Sequence, residues 1–122
     1  DRGIKVINGG TYVCTEGPRF ETAAEISMFK QLGGQLIGMT SVPEVCLARE
    51  LGMCYANISI VTNFAAGISP GILTHSEVMG MMKGSIQGLK DVLTASLKYI
   101  SADDNEDKCD CRKILDEPGV KK

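Results

Sequence analysis

The chain is 122 residues long, with 43% hydrophobic and 23% charged residues and a formal net charge of -2. That length accommodates one small domain with its own core, and a faintly acidic balance without a basic stripe excludes a dedicated nucleic-acid partner. The longest apolar stretches, such as Tyr55 to Val61, are far too short to cross a bilayer. With no secretory signal visible, no membrane partner and a cytoplasmic location are the default expectation.

Asp1-Arg2-Gly3 reads as the last turn of a helix and a glycine stop before a strand at Ile4–Ile7, the opening expected of the C-terminal part of a longer chain. Gly10–Thr15 reads as a second strand, carried by the β-prone run Tyr12-Val13-Cys14-Thr15. Gly17 and Pro18 break it. Thr22, with Glu25 three residues on, predicts a capping box at a helix start. Ala23, Ile26, Phe29 and Leu32 then share one helical face, and Gly33-Gly34 ends the helix.

Gln35–Met39 is expected as a short strand. Ser41 and Glu44 predict a second capped helix with Pro43 in its first turn, running to about Leu51 and stopping at Gly52. Met53–Thr62 is almost continuously apolar, the pattern of a central buried strand. Phe64–Thr74 is a loop holding Gly67, Pro70 and Gly71.

A long helix is expected from Thr74 or His75 to about Ile100, with Val78, Met81, Met82, Ser85, Leu89, Val92, Leu93 and Leu97 as its buried stripe. Gly80, Gly84 and Gly88 recur on another face, each costing ~1 kcal/mol against alanine, so another backbone is expected close against them. Lys83 and Lys90 exclude a membrane-dimer motif. From Ser101 onward the Asp/Glu/Lys-rich sequence predicts a disordered tail. The expected organisation is the C-terminal part of a single domain over 1–100 and a charged, disordered tail over 101–122.

Of five cysteines, Cys14, Cys46 and Cys54 lie in apolar runs and are expected as small buried hydrophobes. Cys109-Asp110-Cys111 lies in the tail. It reads as two wet thiols, with a strained and easily reduced disulfide as the alternative. No histidine lies nearby, so a zinc site is not expected.

Strands alternating with helices imply an α/β layered fold, whose sites gather at the carboxyl ends of strands. Glu16–Thr22, Met39-Thr40-Ser41 and Thr62–Gly67 all fall there. Each candidate has a plain alternative. Phe20 stacks on an aromatic ligand or is a core residue. Glu21 accepts ligand N–H groups or complements the helix dipole. Arg19 pairs with a carboxylate or is a solvated charge. Thr40 and Ser41 hold an anion with helix N–H groups or simply cap. Met39 meets a ligand or lies in the core. Asn63 meets a ligand or closes a turn. His75 reaches a hydroxyl or flanks a cap. No Ser/His/Asp-type triad and no glycine-rich dinucleotide or phosphate-loop motif occurs, so an enzyme here would work by positioning and electrostatics.

From about Gly9 to about Leu97 the chain resembles the trimeric purine nucleoside phosphorylases and methylthioadenosine phosphorylases. Glu16-Gly17-Pro18-Arg19-Phe20-Glu21-Thr22-Ala23-Ala24-Glu25, Gly38-Met39-Thr40-Ser41-Val42-Pro43-Glu44-Val45 and Thr62-Asn63-Phe64-Ala65-Ala66-Gly67 match the family's motifs in order and spacing. The resemblance implies a mixed central β-sheet flanked by helices, here only its C-terminal half. It implies cleavage of a purine nucleoside by inorganic phosphate to free base and ribose 1-phosphate, in purine salvage. No cofactor or metal is implied, phosphate being the co-substrate, and the full-length chain would form a homotrimer or hexamer.

Carried over by motif, Phe20 would flank the purine, Glu21 would accept from its N1–H, and Asn63 would bond N7 and the 6-substituent. Met39 would lie under the ribose, Thr40 would contact phosphate and His75 would lie near the ribose 5′ position. Adenine-preferring members carry serine after the phenylalanine and aspartate in place of the asparagine. Glu21 and Asn63 therefore imply a 6-oxopurine, inosine or guanosine. Glu16, Arg19 and Thr40 look like the methylthioadenosine side of the family, while His75 leans toward a 5′-hydroxyl. The alternatives are a methylthioadenosine or methylthioinosine phosphorylase, or a non-catalytic purine-binding domain. The family's N-terminal half carries its glycine-rich phosphate loop, so this polypeptide alone is expected to be inactive. The Cys-x-Cys tail resembles tails on some thermophilic members, where disulfides occur inside cells.

Overall fold

The computed structural model describes residues 5–69, 71, 74–100, 110, 111 and 113. Five elements follow in chain order: β1 (Tyr12–Cys14), α1 (Ala23–Gln31), β2 (Leu36–Gly38), α2 (Ser41–Glu50) and α3 (His75–Ile100). β1 and β2 pair in parallel, with Tyr12 opposite Leu36, Val13 opposite Ile37 and Cys14 opposite Gly38. A parallel pair needs a crossover, and α1 supplies it. The Thr15 N–H donates to the Gly38 carbonyl at 2.8 Å and carries the pairing one residue past β1. Both strands thus end at the same edge. This is a β-α-β portion of an α/β fold.

α1 begins as its sequence dictates. The Thr22 side chain accepts from the Glu25 N–H, the Glu25 side chain accepts from the Thr22 N–H, and Thr22 is extended at φ -77°, ψ 160°. Ile26 is the buried hydrophobic residue of the described chain, at 7% exposure, while Leu32 on the same face is 75% exposed. α2 starts one residue earlier than expected. Thr40 is the cap residue, without a side-chain capping bond, and Ser41 is already helical and buried. Glu44 is consequently no capping partner; its carboxylate accepts from the Tyr55 hydroxyl at 3.0 Å. α3 opens on a reciprocal box not anticipated from the sequence. The Thr74 N–H donates to Glu77 Oε2 at 3.2 Å, and the Glu77 N–H donates to Thr74 Oγ1 at 3.4 Å.

Several expectations are corrected. Residues 5–7 form no strand, and Ile4 lies outside the described residues. Met53–Thr62 forms no strand either. A strand is defined by backbone partners, and among the described residues the sheet contains only β1 and β2. In α3, Val78, Met82, Ser85, Leu89 and Val92 are half-buried, whereas Met81, Leu93 and Leu97 are exposed at 51%, 46% and 64%. Cys46 and Cys54 are exposed and Cys14 is half-buried. The common cause is that packing between elements is concentrated in the β1–β2 pair, leaving the apolar faces of the helices largely uncovered. A side chain at Gly80 or Gly84 would meet nothing within 4 Å, so no described backbone approaches there.

The expected disorder of the tail and the Cys109 thiol lie outside the described residues. Cys111 is half-buried, and Lys113 pairs with Asp110 at 2.5 Å. No helix among the described residues is long and apolar enough to cross a membrane. No group of three or more His, Cys, Asp or Glu among them could hold a metal ion.

Candidate active site

The segment after β1 turns sharply, through a cis Gly17-Pro18 bond and a positive φ of 70° at Gly17. A Cβ at Gly17 would lie 2.7 Å from the Met39 sulfur. The thioether therefore covers bare backbone, and the first two sequence clusters meet there. Only glycine combines that φ with so close an approach.

Glu21 is half-buried. The Thr15 hydroxyl donates to its Oε1 at 2.5 Å, while the Thr15 backbone is fixed to β2 through Gly38. The carboxylate is thus tied to the end of the sheet. Thr15, Glu16, Gly17, Arg19 and Glu21 line a cleft of about 140 Å³.

An ion pair forms at the rim of this cleft through its lining residue Arg19. Arg19 engages Glu25 with both arms of its guanidinium, NH1 to Oε2 at 2.9 Å and NH2 to Oε1 at 2.7 Å. Its NH1 also donates to the Phe20 carbonyl at 3.1 Å. Glu25 additionally accepts from the Thr22 N–H at 2.7 Å and the Thr22 hydroxyl at 2.9 Å. The Arg19 hydrogen bonds, followed by those from Thr22, hold its carboxyl down at a pKa of about 2. One carboxylate thus fixes Arg19, the cap of α1 and the backbone of Phe20.

The third cluster arrives from the loop before α3. Asn63 Oδ1 accepts from the Thr62 hydroxyl at 2.6 Å, and its Nδ2 donates to the Phe64 carbonyl at 2.9 Å. A carboxamide has two N–H donors and two acceptor positions, so one of each remains for a ligand. Asn63 lines a second, wider cleft of about 510 Å³, between Val13 and Ile37 of the sheet, Ile26 and Phe29 of α1, and residues 59–65. Gly67, with φ 77°, lies against α1; a Cβ there would be 2.6 Å from the Ala23 Cβ. The loop is thereby anchored two residues from Glu21.

The expected residues are therefore partly gathered. Glu21 and Arg19 share one cleft, Met39 adjoins it through Gly17, and Asn63 lines the other. Phe20 is 63% exposed and lines neither cleft. Thr40 stands exposed at the start of α2 with its hydroxyl unused in capping. His75 is exposed at the start of α3 and lines neither cleft. Sequence reasoning missed Thr15, because a threonine at a strand end is ordinary on β-propensity grounds. The available signal was a hydroxyl six residues before a candidate carboxylate, across a Gly-Pro turn.

This set offers an ionisable acceptor, a carboxamide with one donor and one acceptor left, a thioether and a helix-start hydroxyl. Such groups can hold a planar heterocycle and stabilise charge developing on it.

The sequence model of the Phosphorylase superfamily matches residues 1–98. A probable 6-oxopurine nucleoside phosphorylase of Dictyoglomus turgidum is 53% identical over 94% of this chain and 42% of its own length. The 6-oxopurine nucleoside phosphorylase of Pyrococcus furiosus is 52% identical over 87% of this chain and 39% of its own. A probable S-methyl-5′-thioinosine phosphorylase of Methanothermobacter thermautotrophicus is 51% identical over 90% and 38%. The chain thus spans about two fifths of the length of these relatives. Among solved structures, a methylthioadenosine phosphorylase from Schistosoma mansoni in complex with adenine superposes with a TM-score of 0.77 at 34% identity, over 87% of this chain and 37% of that one.

Proposed function

The chain belongs to the phosphorylase superfamily, and on that footing we propose that the protein carrying it cleaves the N-glycosidic bond of 6-oxopurine nucleosides with inorganic phosphate. The products would be the free purine and ribose 1-phosphate. The observation that carries this choice of base is the Glu21 carboxylate, held by the Thr15 hydroxyl at 2.5 Å beside the cleft. A 6-oxopurine presents an N1–H donor to such an acceptor. A 6-aminopurine presents a lone pair, which a carboxylate repels.

Names among the relatives point the same way. One group is named for 6-oxopurine nucleosides, the other for a thioinosine, and inosine-type bases are themselves 6-oxopurines. The adenine-bound structures are more distant, at 34% identity.

In the proposed reaction the glycosidic bond stretches toward an oxocarbenium-like ribose, and the departing purine gathers negative charge. The remaining Asn63 N–H would donate to N7, a bond that tightens as that charge grows. Phe20 would lie against the base, Met39 beneath the ribose and His75 near its 5′ position. Thr40, at the start of α2, would contact phosphate, where the hydroxyl and the helix N–H groups favour an anion. No cofactor or metal is required, since phosphate is itself the attacking group. The working assembly would be a homotrimer or hexamer.

The thioinosine phosphorylase at 51% identity favours a second reading, the same chemistry on a 5′-methylthio nucleoside. Phosphate-dependent base release with inosine, guanosine, adenosine, methylthioinosine and methylthioadenosine side by side tests both. Release of hypoxanthine and guanine without adenine supports the base assignment. Faster turnover of methylthioinosine than inosine would select the second reading. A clear preference for adenine nucleosides would overturn the role given to Glu21.

A further inference from the structure

We infer that Thr15 is the positioning residue that sets base selectivity, an inference that rests on the 6-oxopurine reading above. Its hydroxyl has one hydrogen and two acceptors within reach, Glu21 Oε1 at 2.5 Å and the Gly38 carbonyl at 3.4 Å. The shorter partner is the charged one, and charge-assisted bonds are the stronger, so the proton is committed to Glu21.

Two consequences follow for the carboxylate. Thr15 takes one acceptor position on Oε1, which leaves Oε2 to receive a ligand N–H. The carboxyl plane is also tied to a rigid point, because the Thr15 N–H is itself bonded to Gly38 at 2.8 Å beyond the paired strands. Without that tether a glutamate side chain retains rotatable bonds and can swing aside to admit a 6-aminopurine. Discrimination therefore requires both the charge of Glu21 and the hydroxyl that aims it. Thr15 is suited to this, since its backbone is bonded to Gly38 at the end of the sheet while its hydroxyl reaches across the Gly17-Pro18 turn.

The test uses the protein carrying this chain as wild type, Thr15→Val and Thr15→Ser. Titration calorimetry measures hypoxanthine and adenine binding, and phosphorolysis of inosine gives kcat and KM. Thr15→Val is close in shape and leaves the backbone bond to Gly38 intact. It should weaken hypoxanthine binding and raise KM for inosine by about tenfold, the loss of one hydrogen bond to a charged group, with adenine binding strengthened and kcat within about twofold. Thr15→Ser should return hypoxanthine binding to near wild type.

A merely structural role would lower the melting temperature and weaken both bases alike, and that outcome overturns the inference. Hypoxanthine binding unchanged in Thr15→Val overturns it as well, while leaving the proposed function standing if the wild type turns over inosine. A wild type that neither binds hypoxanthine nor cleaves inosine would sink the proposed function, and the inference with it.

Discussion

Gly67 lies against Ala23 so closely that a Cβ on the glycine would fall 2.6 Å from the Ala23 Cβ. This approach seats the Asn63 loop on the first residue of α1, next to the carboxylate that follows the Gly-Pro turn. Gly67 also has φ 77°, which a side chain resists. Gly67→Ala is expected to lower stability by about 1–2 kcal/mol from the backbone alone, and more from the contact. Chemical denaturation checks the size. An unchanged midpoint would show that the loop is not held by this contact.

Asn63 keeps one donor and one acceptor after its bonds to Thr62 and Phe64. If the donor relieves charge on the departing purine, Asn63→Ala should raise the barrier by ~3 kcal/mol, roughly a hundredfold in turnover. Steady-state kinetics on inosine reads this directly. Near wild-type kcat would remove Asn63 from the chemistry.

Glu21→Ser combined with Asn63→Asp should move preference toward adenine nucleosides. The serine no longer repels a bare N1, and the carboxyl can donate toward N7 while accepting from a 6-amino group. The ratio of kcat/KM for adenosine and inosine is the measurement. A ratio unmoved by the pair would mean that these two positions do not form the base pocket.

Glu25 has a folded pKa of about 2, below its ordinary 4.5. Its contribution to stability is therefore complete above the ordinary value and is lost as pH falls toward 2. Melting temperatures followed from about pH 5 down to about pH 2 should decline more steeply for the wild type than for Glu25→Gln. Arg19 and Glu25 side chains are 65% and 33% exposed, so the difference is modest and shrinks with added salt. Identical acid profiles would show that Glu25 carries no folded-state bond of consequence.

What was legible in the sequence was mostly local. Thr22 and Glu25 announced α1 because a capping box is a short-range motif, and the structure forms it in full. α2 begins one residue earlier than the sequence suggests, since Thr40 and Ser41 both suit a cap and Ser41 lies buried inside the helix. Met53–Thr62 looked like the best strand because apolar runs report where side chains wish to go. They do not report whether a neighbouring backbone is there to pair with, and among the described residues the sheet has only two strands. In the site, Glu21 and Arg19 could be singled out by residue type. Their partners, Thr15 and Glu25, emerged only from distances, because a hydrogen bond across a turn leaves no periodicity.

The Arg19, Thr22 and Phe20 groups that converge on Glu25 or on its guanidinium partner share one anchor. Their substitution energies should therefore not sum. Once Arg19→Ala has loosened the carboxylate, Thr22→Ala should cost less than it does in the wild type, and a double-mutant cycle would return a coupling energy between two residues that meet only through a third. Selection acting on either position would then depend on the state of the other. The Arg19–Thr22–Glu25 cluster would change over evolutionary time as a unit, not residue by residue.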